Sequence, residues 1–389
     1  MRKFLLFLKQ ISFVLILATI PAILFSQTYY VSNSGNDSNP GTQQSPWKTT
    51  SKVNQNLSSG VTVLFERGGA WDYEDGDYLR MVSGVTYGAY GSGSKPVISR
   101  AINCPGDNWD YWRASGMNNI WILSNRVNGV KVDYEVEGTH FNTAFISYNG
   151  NESIGHMRFN MNDLQNQGDF YTKREDVGGT IINTTYVYSV GNPAWFYDHV
   201  AVVIGQSGIA GETEGSSASN VTIEDLNFYQ CGWNGIGIPK GSDNITIDNC
   251  EISYSGGQNQ VNNGYARRGQ CINTQGDISY LTISNCIVSE GWDGGIALQG
   301  WMDNLNVYQV RVHHNVIYNN EYGFEIWGIK PTSDISYVFF ENNTCFYNGY
   351  GWANDHRDSL KKKGSSFFHW SFEGFSEHIY IRNNIFYKD

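Results

Sequence analysis

A parallel β-helix is the fold class this 389-residue chain predicts, and three observations predict it. First, one phrase recurs. Val221–Phe228, Ile245–Ile252, Leu281–Val288, Val310–Ile317, Val338–Cys345 and Ile379–Phe386 each carry apolar residues at alternate positions around an Asn-type break. Alternation of period two places successive side chains on opposite sides of a strand. Second, the phrase returns at a near-constant spacing. Starts at 281, 310 and 338 are 29 and 28 residues apart, and the step from 221 to 245 is 24. The longer steps of 36 (245 to 281) and 41 (338 to 379) require insertions. Third, a different apolar segment lies between the phrases, at Gly235–Ile238, Cys271–Thr274, Gly295–Leu298, Gly323–Ile326 and, more weakly, Phe367–Trp370. A unit of two or three short strands cannot bury its apolar side unaided, whereas coils stacked ~4.8 Å apart share one continuous interior.

The elements follow in chain order. Residues 1–26 read as an export signal: Arg2, Lys3 and Lys9 precede an apolar run from Ile11 to Phe25 that is short for a bilayer span. Cleavage is expected near Ser26 or Gln27, with the mature protein secreted, periplasmic or at the cell surface and without stable membrane insertion. A retained anchor is the alternative. Residues 27–104 read as an N-terminal cap and first coils. A helix-compatible stretch, Ser51–Leu57, would cover the open end of the solenoid, whose backbone groups need partners. Asp37 and Asn39 stand in a turn-rich cluster and are read as turn residues in preference to calcium ligands. Val85–Ile98 begins the first coils.

The repeat blurs over residues 105–200. Ile120–Leu123, Gly129–Val132 and Tyr186–Val190 read as strands of an irregular antiparallel β insertion, and His199–Ile204 is expected to return to the solenoid. Residues 201–389 are the regular coils. The sequence stops directly after a repeat strand with no evident cap, so C-terminal truncation is expected.

Composition agrees with this architecture. Charged residues are 16%, aromatics 15%, and there are 43 glycines, which suits short strands and turns. A net charge of −11 argues against nucleic acid, whose phosphates need a basic face. None of the six cysteines forms a CxxC pair, so a zinc site is not expected. Cys250 and Cys286 share a repeat position and read as stacked buried thiols, with a disulfide as the alternative. His313 and His314 fall where other repeats carry Asp-Asn or Glu-Asn, so a turn ladder is preferred to a metal pair. Asn249, Asn285, Asn342 and Asn383 form a column expected to hydrogen-bond from coil to coil.

The repeat form, with Asn at the tight turn over roughly residues 220–389, resembles the right-handed parallel β-helix proteins of the pectin-lyase-like superfamily. The resemblance implies a secreted carbohydrate-active protein with a polysaccharide or oligosaccharide as partner. The Asn-Thr-Asp, Asp-Asp and Gly-His-Gly set of polygalacturonase-type hydrolases is absent. So are the Trp-Ile-Asp-His and Arg-x-Pro-x-x-Arg signatures of pectate lyases. No catalytic residue therefore carries over from those families.

Alternation identifies a candidate face. Ile236, Ile272, Ile296 and Phe324 should point inward, leaving Gly237, Asn273, Ala297, Glu325 and His369 outward in one column. Gly235, Cys271, Gly295 and Gly323 should form a floor of small residues two positions earlier. Further back come Trp233, Gly269, Asp293 and Glu321, and beyond lie Pro239, Gln275, Gln299 and Trp327. Asp293 and Glu321 are 28 residues apart, one coil, and should be neighbours roughly 5 Å apart at the backbone. Two carboxylates flanking a scissile bond are the minimum kit for glycoside hydrolysis, and close pairing leaves one of them protonated as the acid. Asp293, Glu321, Glu325 and His369 are thus the candidate catalytic residues. The bland alternative is solvated turn acids. Trp233, Arg267, Arg268, Asn273, Gln299, Trp327, His356 and Arg357 are candidate substrate contacts, several of them on the two long insertions. The competing enzymatic reading is a polysaccharide lyase. It would use Arg267, Arg268, His356 or Lys240 for base and uronate charge, with Ca2+ held by Asp293 and Glu325. A non-catalytic glycan-binding protein is the third reading.

Overall fold

The computed structural model describes residues 27–127, 130–133, 135–137, 143–211, 216–259, 267–300, 303–328, 330–356, 364–371 and 374–388. The leader expected over residues 1–26 lies outside them. Three parallel sheets wrap one interior. The first face stacks Gln27–Val31, Val61–Glu66, Thr86–Tyr90, Ser219–Glu224, Ser242–Asp248, Ile278–Ser284, Asn306–His313, Asp334–Glu341 and Phe375–Arg382. The second runs from Ala70–Trp71 and Val97–Ile98 through Asn227–Cys231, Glu251–Ser255, Ile287–Gly291, Val316–Tyr318 and Thr344–Phe346 to Ile385–Tyr387. The third stacks Leu79–Arg80, Ile209–Ala210, Ile236–Ile238, Gln270–Thr274, Gly294–Gly300, Tyr322–Gly328 and Ser365–Ser371. Each recurring phrase is therefore a first-face strand plus a second-face strand, and the intervening segment is the third. This is the all-β solenoid that the repeat predicts.

Alternation becomes packing in strict register. Ile245 pairs with Leu281, Leu281 with Val310, Val310 with Val338 and Val338 with Ile379, so one apolar column runs through the stack. The first four are completely buried, and columns from all three faces merge into one core. Thr50–Asn54 is a short helix whose Val53 enters that core, with the Thr49 hydroxyl accepting from the Lys52 amide at its start. Asp37 is a turn organiser: it accepts from the Lys48 and Thr49 amides and from the Thr49 hydroxyl.

The corner between the first and second faces is tight. Asp225, Asn249, Asn285, His314, Asn342 and Asn383 occupy it with φ between 48° and 61°. Asn and Asp tolerate the left-handed region better than other side chains, which explains the Asn-type break in the phrase. The coil-to-coil ladder expected from this column lies one residue later. Asn315 and Asn343 are buried, and each backbone amide donates to the side-chain oxygen of the next rung: Asn315 to Asn343 at 3.0 Å and Asn343 to Asn384 at 2.8 Å. Cys250 and Cys286 fill the same slot on earlier coils as free, buried thiols, and the Cys286 amide donates to Asn315 at 2.9 Å.

The corner between the second and third faces carries the irregularity. It is short at 232–235, 292–293 and 319–321 but long at 256–269 and 347–364, and in the coil of Val97–Ile98 it opens into residues 99–208. Within that last stretch, Ala101–Pro105, Thr143–Tyr148, Ser153–Ile154 and His199–Ile204 form one antiparallel sheet. Trp112–Ala114, Ile120–Val127, Val130–Asp133, Glu135–Glu137, Phe170–Val177 and Thr180–Tyr188 form another. They enclose a separate core including Ile102, Leu123, Ile146, Phe170, Val187 and Val202. His199–Ile204, expected to re-enter the solenoid, instead pairs antiparallel with both Thr143–Tyr148 and Ala101–Pro105, and re-entry comes at Ile209–Ala210. The reason is local. His199–Ile204 has apolar residues on both sides, as a strand sandwiched between two cores requires, and lacks the polar alternation of a coil. Among the described residues, no helix is long and apolar enough to cross a membrane.

Candidate active site

The outer side of the third face is built by register. Ala210 pairs with Gly237, Gly237 with Asn273, Asn273 with Ala297, Ala297 with Glu325 and Glu325 with Phe368. The inward partners Ile236, Ile272, Ile296 and Phe324 are at most 1% exposed, as alternation requires. Gln299 pairs with Trp327 and Trp327 with Trp370, giving a parallel column two residues on. Asp293 and Glu321 each stand one residue ahead of the Gly294–Tyr322 pair, so they occupy equivalent corner positions on consecutive coils.

Three carboxyl groups converge here. Glu325 is 8% exposed, and burial first, then the charges of Asp293 and Glu321, hold its carboxyl well above the usual carboxylate range. Glu321 is fully buried, whereas Asp293 is half-buried. Gln270, itself buried, donates its side-chain amide to Asp293 Oδ2 at 2.8 Å, which fixes the orientation of that carboxylate. The backbone amide of Gln270 in turn donates to Asn234 Oδ1 at 3.1 Å. On the neighbouring column Gln299 Nε2 donates to Asn273 Oδ1 at 3.0 Å.

An aromatic ledge that sequence reasoning missed lies beside the acids. Tyr322 stacks on Phe368 with ring centroids 4.4 Å apart, and Phe368 meets Trp370 edge-on at 5.5 Å. Register is the signal that could have found it, because Phe368 and Trp370 continue the Glu325 and Trp327 columns onto the next coil. Flat rings beside polar groups suit the apolar faces and hydroxyl edges of sugars.

Other expected residues fall elsewhere. His369 pairs with Ile326, not with Glu325, because Phe367 takes the inward place and packs on Phe324 at 5.6 Å and Phe340 at 5.9 Å. The strand is thereby shifted one residue, and His369 sits exposed across the strand from the acid column. The small-residue floor is also corrected. A Cβ on Gly235 would strike Ile252, one on Gly295 the Gly323 carbonyl, and one on Gly323 the Ser366 carbonyl, while Cys271 belongs to the core. That column turns inward at the corner, where close coil contact excludes side chains.

His356 is built into the wall. Its Nδ1 lies 3.0 Å from the Trp352 carbonyl and its Nε2 3.3 Å from the Gly155 carbonyl, and its ring is 4.3 Å from His156. Trp352 packs on Trp292 at 4.5 Å and on Phe145 at 4.9 Å, and its indole donates to the Glu290 carbonyl at 2.9 Å. The 347–356 insertion therefore joins the antiparallel unit to the solenoid corner next to Asp293. Arg268 is exposed, with its guanidinium 5.7 Å from the Trp233 ring. Lys240 faces Asp277 at 3.8 Å. Arg357 and the side chain of Arg267 lie outside the described residues.

A cavity of about 350 Å³ is lined by Met157, Arg158, Phe159, Asp163, Gln165 and Asn166 in the antiparallel unit. Its Arg158 pairs with the buried Asp169 at 2.9 Å, and Asp163 is the one acidic side chain in its lining. The third face is the better catalytic candidate on chemical grounds.

A family model described as a right handed beta helix region matches residues 199–386, a little under half of the chain. From Ile209–Ala210 onward that stretch is the right-handed β-helix of the solenoid. No curated protein matches it. Among solved structures, it is similar to a complex of XylC with xylose at 12% identity and a TM-score of 0.47, covering 90% of this chain and 68% of that one. It is similar to the GH136 lacto-N-biosidase from Eubacterium ramulus at 14% identity and a TM-score of 0.45, covering 92% of this chain and 52% of that one. The chain thus spans about half the length of that enzyme. The pectate lyase Pel9A is similar at 12% identity and a TM-score of 0.40, with coverage of 92% and 78%. Identities this low leave the reaction to be read from this chain's own residues.

Proposed function

We propose that this chain is an exported enzyme that cleaves glycosidic bonds in a polysaccharide laid along the outer side of the third face. The observation that carries the reading is Glu325: a nearly buried carboxyl, its proton held more tightly by burial and two acidic neighbours, on a column of small and polar residues beside an aromatic ledge. A carboxylic acid whose proton affinity is raised by burial and by acidic neighbours is suited to protonating a departing sugar oxygen. Asp293, oriented by Gln270, is the partner that acts as base on water or as nucleophile. Glu321, fully buried, touches no substrate and acts by raising the proton affinity of Glu325. Tyr322, Phe368 and Trp370 stack the sugar rings, with Trp327 and Gln299 beside them.

Incubation with xylan, polygalacturonate and rhamnogalacturonan tests this. New reducing ends without ultraviolet-absorbing products support hydrolysis. Unsaturated products absorbing in the ultraviolet point to a lyase, and binding without products points to a glycan-binding protein. Loss of products in Glu325→Gln, with the fold retained, assigns the acid.

A further inference from the structure

The cavity of about 350 Å³ in the antiparallel unit takes no part in the chemistry proposed for the third face. It is open to solvent: Phe159, Asp163, Gln165 and Asn166 of its lining are exposed, and Met157 and Arg158 are half-buried. It is also preformed, because one buried carboxylate gathers its walls. Asp169 Oδ1 accepts from Arg158 Nη2 at 2.9 Å. Asp169 Oδ2 accepts from the Gln165 and Asn166 backbone amides at 3.2 and 3.0 Å and from Asn166 Nδ2 at 3.2 Å. The Arg158 backbone amide donates to the Phe170 carbonyl at 2.7 Å, which ties the opposite wall to the sheet. Little ordering of the walls is left for a ligand to drive.

The groups left over define the ligand. The Phe159 ring is 58% exposed and stacks on no other ring among the described residues, so it presents an apolar platform. The Asp163 carboxylate, Gln165 Oε1 and Asn166 Oδ1 are acceptors to which no described residue donates, and Arg158, with 33% of its side chain exposed, is the donor among them. The wall is richer in acceptors than in donors, so it suits a ligand with several hydroxyl protons. Charge points the same way. Asp169 neutralises Arg158, which leaves Asp163 as the unpaired charge of the lining, and Asp163 repels anions. We infer that this cavity is a secondary binding site for a neutral sugar residue of a glycan, whose ring lies on Phe159 and whose hydroxyls donate to Asp163, Gln165 and Asn166. The inference rests on the proposed function only for its ligand class; the site is separate. A uronate is disfavoured, since its carboxylate brings acceptors and a like charge. His156, next to Met157, packs at 4.3 Å on His356 of the insertion whose Trp352 covers Trp292 beside Asp293. The cavity is thus anchored to the same corner as the acids without lining it, and it holds a glycan while contributing no group to bond cleavage.

Phe159→Ala removes the platform and Asp163→Ala the charged acceptor; both side chains are exposed, and thermal melting confirms that the fold is kept. Binding is measured by calorimetry in a Glu325→Gln background, so that the ligand stays whole. The probes are unsubstituted six-sugar fragments of xylan and of a glucan, which are neutral, and a six-sugar fragment of polygalacturonate, which is not. The expected result is that a neutral fragment binds more tightly than the acidic one and that each substitution weakens it roughly three- to tenfold. Adding Phe368→Ala on the third face leaves the loss caused by Phe159→Ala unchanged, as separate sites require. Unchanged neutral-fragment binding in both variants overturns the inference. So does an acidic fragment that binds as tightly and responds equally to Phe159→Ala, or the absence of binding of either neutral fragment before Phe159 is altered. Neutral binding lost in Phe159→Ala, in a protein whose unaltered form releases no product, would leave the cavity site standing and refute the cleavage reaction; products with silent cavity variants would do the reverse.

Discussion

Replacing Glu325 by Gln should remove the proposed cleavage activity and strengthen the fold, and the two effects should separate with pH. The structure sets the scale. Asp293 and Glu321 occupy adjacent rungs next to Glu325. Burial first, and then the charges of Asp293 and Glu321, penalise a charge on Glu325, and each tenfold rise in its proton affinity is worth about 1.4 kcal/mol. The folded protein therefore keeps the proton through a pH range in which the unfolded chain releases it. Below the ordinary carboxylate range both states are protonated and Glu325 contributes no penalty. As pH rises through that range, the unfolded state gains by ionising and native stability falls, reaching its full deficit above the raised folded value. Glutamine keeps the shape and a donor but cannot ionise. Melting curves should therefore nearly coincide near pH 4 and diverge as pH rises, with Glu325→Gln the more stable protein. Removing the proposed general acid should cost roughly 100- to 10,000-fold in turnover. Calorimetry across pH 4–9, paired with reducing-end assays, reads both quantities. A variant that melts lower at alkaline pH, or whose difference from the unaltered protein ignores pH, would refute the electrostatic account of this site.

Four further outcomes are expected. Asn343→Ala deletes four hydrogen bonds made by that side chain to Val312, Asn315 and Asn384, so urea melts should show a loss of about 4 kcal/mol or more. Asp169 is fully buried; burial pushes its carboxyl up, but the Arg158 guanidinium and the Gln165 and Asn166 amides more than offset this and hold it low. Its contribution is complete above the unfolded value of ~3.9 and fades as pH falls through the lower folded value, so Asp169→Asn should destabilise at pH 7 and converge with the unaltered protein in strong acid. Gln270→Leu should lower turnover by roughly tenfold or more, with little change in substrate affinity, and shift the acid limb of the pH–rate profile, because it frees Asp293 from its orienting amide. Phe368→Ala should weaken binding of oligosaccharides by about 1–2 kcal/mol in calorimetry, by removing the ring that Tyr322 stacks on.

Much of this arrangement was legible in the sequence because the repeat carries its own register. Once Ile236, Ile272, Ile296 and Phe324 are read as inward, the columns of Gly237 and Glu325 and of Gln299 and Trp327 follow from period-two alternation, and the backbone pairs them so. Alternation fails at corners, where the chain rotates between faces. That is why Gly235, Gly295 and Gly323 turn inward and why the asparagine ladder falls at Asn315, Asn343 and Asn384. Left-handed backbone at Asn342 and its equivalents consumes one residue, and the next side chain enters the core. At Phe367-Phe368-His369 the pattern was ambiguous, since either phenylalanine could face inward. Packing on Phe324 and Phe340 decided it, displacing His369 and placing Phe368 beside Glu325. Gln270 carried no local signal; its role comes from a contact with Asp293 that spans 23 residues of sequence.

The insertions at 99–208, 256–269 and 347–364 all leave the coils between the second and third faces, while the asparagine-lined corner stays short. Such a body behaves like a bound volume: the spine holds the pages in order, and leaves of any size can be sewn in along the fore-edge. Exchanging the 347–364 insertion, whose Trp352 packs on Trp292 beside Asp293, would alter the corner next to that acid. Loops at that corner can thus be exchanged one by one while the acids keep their places.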